Sequence, residues 1–318
     1  MPEVTRVFFG VDAHGSERVW RKFLSVPKMY NTDILILAGD LTGKMIVPIV
    51  KQNDGTYRCH AFGQKWTATN EAELEGIKEK ILFSGYYPYV SNPEEVQELK
   101  SDEKKVGKLF EQEMLNNIER WVKMVDEKVS TEVKVVVMPG NDDSFVIDEP
   151  IKKSGRVIYP LGKTVNLCFD YQMISMDYSN PTPWESPREC SEDELWKRLE
   201  DLKKLIAVDW NRVICNFHCP PFGTQLDLAP KLGKNLTVRM TPGGVEKTNV
   251  GSKSVRKFIE TYQPFMGLHG HIHESTGFEN LGRTICFNPG SEYGEGVLKG
   301  VILEISDKGL EKWTPISG

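Results

Sequence analysis

The sequence predicts an α/β protein, and three observations carry that prediction. Apolar runs of strand length recur along the 318 residues. Amphipathic helical stretches separate several of them. Five of the runs end in a short polar cluster: Asp12-Ala13-His14, Gly39-Asp40, Gly140-Asn141-Asp142, Asn216-Phe217-His218 and Gly270-His271-Ile272-His273. Ligand-carrying loops of α/β sheets collect at the carboxyl ends of strands. Clusters far apart in sequence can therefore meet at one point.

The first strand is read over 7–11 and runs into Asp12. A helix follows from Ser16, its cap, through Leu24. Residues 33–38 form the next strand, so the chain predicts a parallel βαβ start. Residues 45–50 and 56–62 flank Asn53-Asp54-Gly55, a hairpin signal. A helix with an Asn cap spans 70–83, and a further helical stretch starts at Ser91-Asn92-Pro93. Residues 101–128 read as a long helix. Its Phe110, Met114, Ile118, Trp121 and Val125 form an apolar stripe expected to pack on the core. The aromatic cluster Tyr86, Tyr87, Tyr89 and Trp66 is a candidate to face the site.

Strand 133–138 precedes Gly140-Asn141. Residues 148–153 are expected to be helical. Residues 156–159, 164–168 and 171–176 are expected as antiparallel strands that pass the chain into a second sheet. Ser191 followed by Glu192-Asp193-Glu194 starts a helix read to about residue 208. Strand 212–215 leads to His218. Residues 222–251 carry five glycines and Lys231, Lys234, Arg239 and Lys247, and are read as a mobile loop beside the site. Ser252 caps a helix ending near Tyr262; such an N-terminus can also hold an anion. Strand 265–268 precedes the last cluster. Four strands then fill the tail, and Asn288-Pro289-Gly290-Ser291 returns the chain toward the site.

Composition bounds the function. Apolar residues make up 39% and charged residues 27%, which is a folded globular chain. A net charge of −5 gives no bulk electrostatic case for nucleic acid as partner. The six cysteines contain no C-x-x-C pair and follow no charged-then-apolar leader, so no disulfide is expected. No apolar run approaches the roughly 18 residues of a membrane span. The expected location is cytoplasmic, with no membrane partner.

The five clusters offer carboxylate, imidazole and amide oxygen, and no thiolate. That set suits Zn, Mn or Fe(II). Seven side chains, Asp12, His14, Asp40, Asn141, His218, His271 and His273, are too many for one tetrahedral ion. They suffice for two ions sharing one carboxylate. Residues i and i+2 on an extended segment point the same way, so Asp12 with His14, and His271 with His273, are expected to grip in pairs. Two ions roughly 3.5–4 Å apart form a clamp for in-line displacement at phosphorus.

The order Asp-x-His, Gly-Asp, Gly-Asn-x-Asp, His, Gly-His-x-His resembles the signature of the calcineurin-like metallophosphoesterases. The resemblance implies one four-layer α/β/β/α sandwich over 1–318, with a helical and hairpin insertion at about 44–131 that is a possible cap. It implies that Asp12, His14 and His273 hold one ion, that Asn141, His218 and His271 hold the other, and that Asp40 bridges them. A bridging hydroxide on this dinuclear centre would be the nucleophile. The ions would be Mn, Fe, Zn or Ni, and the substrate a small-molecule or nucleotide-type phosphoester.

One position departs from the pattern. Many members carry a His after Gly-Asn, where this chain has Asp142. A carboxylate beside two cations is a poor general acid. The resemblance with that departure points to a phosphodiesterase rather than a monoesterase, with Asn141 and Asp142 as the catalytic candidates. Two rivals remain: a non-catalytic interaction scaffold with the same fold, and a nuclease using the basic stretch 231–247. His269 is expected to pack or to support a ligand, and His60 to lie on the surface.

Overall fold

Alternation of strand and helix begins at once in the computed structural model, which describes residues 3–318. β1 (Val4–Val11) leads through α1 (Glu17–Tyr30) to β2 (Ile34–Ala38), and β1 and β2 pair in parallel as expected. Ser16 occupies the cap position of α1, but its hydroxyl donates to the Phe83 carbonyl instead of capping.

The segment after β2 folds as its own small sheet with helices. β3 (Ile46–Lys51) and β4 (Tyr57–Ala61) pair antiparallel around the Asn53-Asp54-Gly55 turn. β5 (Gln64–Ala68) extends this hairpin. α2 (Glu71–Phe83) starts at Asn70, whose side chain accepts from the Glu73 amide. β6 (Tyr87–Ser91) then returns parallel to β3, giving the order β5-β4-β3-β6. α3 (Pro93–Ser101) and α4 (Glu103–Lys128) follow. The stripe on α4 does pack on the core: Trp121 stacks on Trp20 of α1 at 4.6 Å.

β7 (Lys134–Met138) pairs in parallel with β2, and α5 (Asp148–Lys153) and β8 (Val157–Ile158) follow. The strand pattern then departs from expectation. β8 lies parallel to β7 in the first sheet, so of the three expected strands two, β9 (Val165–Asn166) and β10 (Gln172–Met176), form an antiparallel pair in the second. α6 (Glu192–Lys203) stops short of residue 208, and Leu205 and Ile206 close the end with turn hydrogen bonds. β11 (Val213–Phe217) carries His218 at its end.

Residues 222–251 are not irregular. β12 (Leu228–Pro230) pairs with β15 (Lys247–Asn249), and β13 (Met240–Thr241) with β14 (Gly244–Val245), as one ribbon inside another. Glu246 binds both Lys231 and Arg239, so part of the basic character of this stretch is matched internally. α7 (Lys253–Tyr262) is capped by Ser252, and the Glu192 carboxylate also accepts the Lys253 and Ser254 amides. The anion at this N-terminus is therefore the protein's own. β16 (Met266–Leu268), β17 (Gly277–Leu281), β18 (Thr284–Asn288), β19 (Lys299–Ser306) and β20 (Gly309–Ser317) complete the chain.

Two six-stranded sheets result, β20-β19-β1-β2-β7-β8 and β17-β18-β16-β11-β10-β9. Phe9, Ile36 and Val136 of the first meet Met173, Ile214 and Phe287 of the second in one buried cluster. The alternate residues Phe8, Leu35 and Val135 face α1 and α4. Cys215 and Phe217 on the far sheet face α6 and α7. This is the four-layer α/β/β/α sandwich, and period-two alternation of side chains builds it. The carboxyl ends of β1, β2, β7, β11 and β16 carry the five polar clusters.

Candidate metal centre

The donor loops depend on unusual backbone. Asp12, His14, Asp40 and His271 have φ of 53°, 42°, 41° and 68°. Left-handed geometry costs a non-glycine residue roughly 1–2 kcal/mol, and such strain collects at functional sites. Cross-loop hydrogen bonds hold it: the Asp12, His14 and Gly15 amides donate to the carbonyls of Gly39, Asp40 and Leu41. The i, i+2 argument from extended segments therefore does not apply here. His271 and His273 instead diverge, one toward each of two donor groups.

Glycines make room for the side chains. A β-carbon on Gly39 would lie 1.9 Å from His218 Nδ1, and one on Gly140 would lie 2.3 Å from Asp40 Oδ1. One on Gly270 would meet Asp12 Oδ2 at 2.9 Å. The glycines of the three clusters that contain one are thus required by packing against a donor.

The predicted donors converge. Asp12, His14, Asp40 and His273 each offer a ligand atom within 4.8 Å of the others, and Asp40, His218 and His271 do the same. Asp40 belongs to both groups. His14 Nε2 faces His273 Nε2 at 3.0 Å and Asp40 Oδ2 at 3.6 Å. His218 Nε2 lies 2.9 Å from Asn141 Oδ1 and 3.5 Å from Asp40 Oδ1. Asp12, His14, Asp40, Asn141 and His218 are buried. Asp12 Oδ1, His14 Nδ1 and His218 Nδ1 have no hydrogen-bond partner. Acceptors crowded against acceptors out of water fit divalent cations between them.

Electrostatics without metal show the same frustration. Burial pushes the Asp12 carboxyl up to about 8, and nearby Asp40 adds to the rise. Burial works to lower His218, but Asp40 and Asp12 outweigh it and hold the imidazole at about 9. Burial drives His271 down to about 3, with the charge of His218 adding to the fall. Asp40 stays well below the usual carboxylate range: burial opposes this, and His218 and His14 overcome it.

The remaining predicted residues fall at the margin. Asp142 lies beside the donors and accepts from Ser186 Oγ at 2.9 Å, while Lys44 Nζ sits 2.8 Å from its other oxygen. Its amide donates to Asp40 Oδ1. His269 is buried, with Nδ1 on the Phe217 carbonyl at 2.8 Å, and packs without joining the donors. His60 is exposed on β4. The aromatic cluster divides. Tyr87 is buried beneath the site and accepts from the Gly43 amide at 2.7 Å, and Tyr89 donates to Glu95. Tyr86 stacks on Phe62, which also touches Trp66.

Sequence reasoning missed three residues. Asp143 is buried and accepts from the amides of Leu41, Thr42 and Gly140, tying the second loop to the third. Tyr293 packs its ring 4.5 Å from His14 and 5.7 Å from His273. Lys44 brings a cation to the edge of the site. Its signal was its place in the same strand-end loop as Asp40.

A protein of Methanocaldococcus jannaschii, MJ1162, itself uncharacterized, is 31% identical over 169 residues, which are 51% of this chain and 66% of that protein. A solved crystal structure aligns over 99% of both chains at 17% identity and a TM-score of 0.59. The Thermus thermophilus protein TT1561 aligns over 99% of both at 13% identity and a TM-score of 0.52. No protein-family model matches the chain. The fold is shared with these solved structures, and the ordered donor pattern resembles that of the calcineurin-like metallophosphoesterases. Among the described residues no helix is long and apolar enough to cross a membrane.

Proposed function

We propose that this protein is a hydrolase of phosphoric esters that works with two divalent ions and prefers diesters. The observation that carries the reading is the sharing of Asp40 between the two donor groups. Asp12, His14 and His273 would hold one ion with Asp40. His218, His271 and the Asn141 amide oxygen would hold the other. When bound, the ions would activate the attacking water and neutralise the phosphoryl oxygens.

The chain's own residues prepare that chemistry. Left-handed loops and packed glycines fix the donors, so little reorganisation is needed when charge develops. Asn141 contributes a neutral oxygen, which adds no repulsion toward an anionic substrate. Its Nδ2 donates to Ser186 Oγ at 3.0 Å, which turns Oδ1 toward His218. Asp142 accepts from Ser186 and is paired with Lys44, an arrangement that supplies no proton to a leaving group. Esters whose leaving group needs no protonation are then the better substrates.

The test is turnover of a panel of diesters and monoesters by chelated protein reloaded with Mn, Zn, Fe or Ni in turn. Diesters are expected to be hydrolysed faster with at least one metal. A clear preference for alkyl monoesters would sink the diester reading. Failure to bind metal or turn over any ester would favour a scaffold.

A further inference from the structure

We infer that Lys44 contacts the phosphoryl group of the substrate directly; this rests on the phosphoesterase reading above. The position after Asn141 is a carboxylate here, so it cannot present a positive charge itself. It recruits one: Lys44 Nζ lies 2.8 Å from Asp142 Oδ2. An ammonium has three donors. Asp142 takes one, and the side chain remains 46% exposed, with donors left for a ligand. The Asp142 amide donates to Asp40 Oδ1 at 3.0 Å, so the carboxylate that holds Lys44 sets the ammonium beside the donor groups.

The loop that carries Lys44 is fixed from both sides. Asp143 accepts the Leu41 and Thr42 amides at 2.9 Å each, and the Thr42 hydroxyl at 2.6 Å. Tyr87 accepts the Gly43 amide at 2.7 Å. Gly43 leaves no space beside it: a β-carbon there would lie 2.2 Å from the Gly85 carbonyl oxygen. Asp40 and Lys44 thus stand on one locked loop, a metal donor at its start and a cation at its end. Tyr87 and Gly85 belong to the segment 44–131, so that segment positions the phosphate contact.

The register of the small sheet supports the placement. Ile46 of β3 stands opposite Tyr87 of β6, and the Tyr87 amide donates to the Met45 carbonyl. Lys44 therefore emerges at the end of this sheet that abuts the donor loops. A phosphate whose oxygens meet the ions on one side would meet the Lys44 ammonium on the other. The contact is electrostatic and moves no proton.

The experiment uses the full chain, metal-loaded, with Lys44→Met and Lys44→Arg. Metal per chain, inorganic phosphate affinity by calorimetry, and kcat/KM for a diester are measured together. Lys44→Met is expected to keep the wild-type metal content, bind phosphate at least about tenfold more weakly, and lose roughly tenfold to a hundredfold in kcat/KM. Lys44→Arg should recover much of both. Unchanged phosphate affinity and turnover in Lys44→Met would overturn the inference, as would loss of metal from that variant. A wild type that holds metal and binds phosphate but cleaves no ester would instead defeat the functional reading, and the phosphate titration would still judge Lys44.

Discussion

Gly39→Ala is the sharpest single perturbation of the centre. Gly39 has φ 84°, and a β-carbon there would lie 1.9 Å from His218 Nδ1 and 2.3 Å from its Cε1. Ordinary contact begins at 3.4 Å, so the ring must retreat by the difference between 3.4 and 1.9 Å, about 1.5 Å. A metal–nitrogen bond is only about 2.0–2.1 Å long. The retreat removes His218 from bonding distance. A 1 Å misplacement near the chemistry can cost about a hundredfold in rate. The left-handed alanine adds roughly 1–2 kcal/mol of backbone strain, within the stability of an ordinary domain. The variant should therefore fold. It should purify with about half the wild-type metal and turn over a diester at least about a hundredfold more slowly. Metal analysis, melting and steady-state kinetics read all three. Full metal content with turnover within about threefold of wild type would refute the packing argument.

Other variants and conditions follow from the same geometry. Asp40→Asn removes the carboxylate that both donor groups share, so metal content should fall toward zero while circular dichroism stays unchanged. Chelation should lower the melting temperature of wild type, since saturating metal at about a thousandfold over Kd contributes about 4 kcal/mol; an unchanged melt would argue against a tightly held metal. The chelated protein should also lose stability as pH rises. His218 in the fold sits at about 9, above its free value of 6.5, so its contribution is complete below pH 6.5 and is lost toward pH 9. Asp12, raised to about 8, drifts the same way between pH 4 and 8. Melting curves of chelated protein from pH 6.5 to 9 should shift downward, and a rise would contradict the assignment. Tyr87→Phe leaves the buried Gly43 amide without its acceptor, at a cost of about 1–3 kcal/mol. Its diester kcat/KM should drop along with its melting temperature.

Much of the fold was legible because its signals are local. β2 ends at Ala38 and β7 at Met138, where the apolar runs end and the Gly-Asp and Gly-Asn clusters follow. The Asn53-Asp54-Gly55 turn and the Asn70 cap are recognised by chemistry that acts within four residues. The convergence of Asp12, His14, Asp40, His218, His271 and His273 was legible as a set, since each lies at or just past a strand end. Their local geometry was not. Strand periodicity predicts extended backbone at Asp12 and His14, whereas tertiary hydrogen bonds force both into left-handed φ. β6 was hidden because Tyr87, Pro88 and Tyr89 read as an aromatic patch, and only pairing to β3 makes them a strand. The ribbon at 228–249 has strands of two or three residues, too short for any period to show. Tyr293 reaches the site from a loop whose course depends on the whole fold, so no spacing announced it.

Anomalous diffraction from crystals soaked in Mn²⁺ is the most direct test of the centre. Two peaks about 3.5–4 Å apart are expected, one on each side of the Asp40 carboxylate. A single peak, or none within bonding distance of Asp40, would contradict a two-ion site.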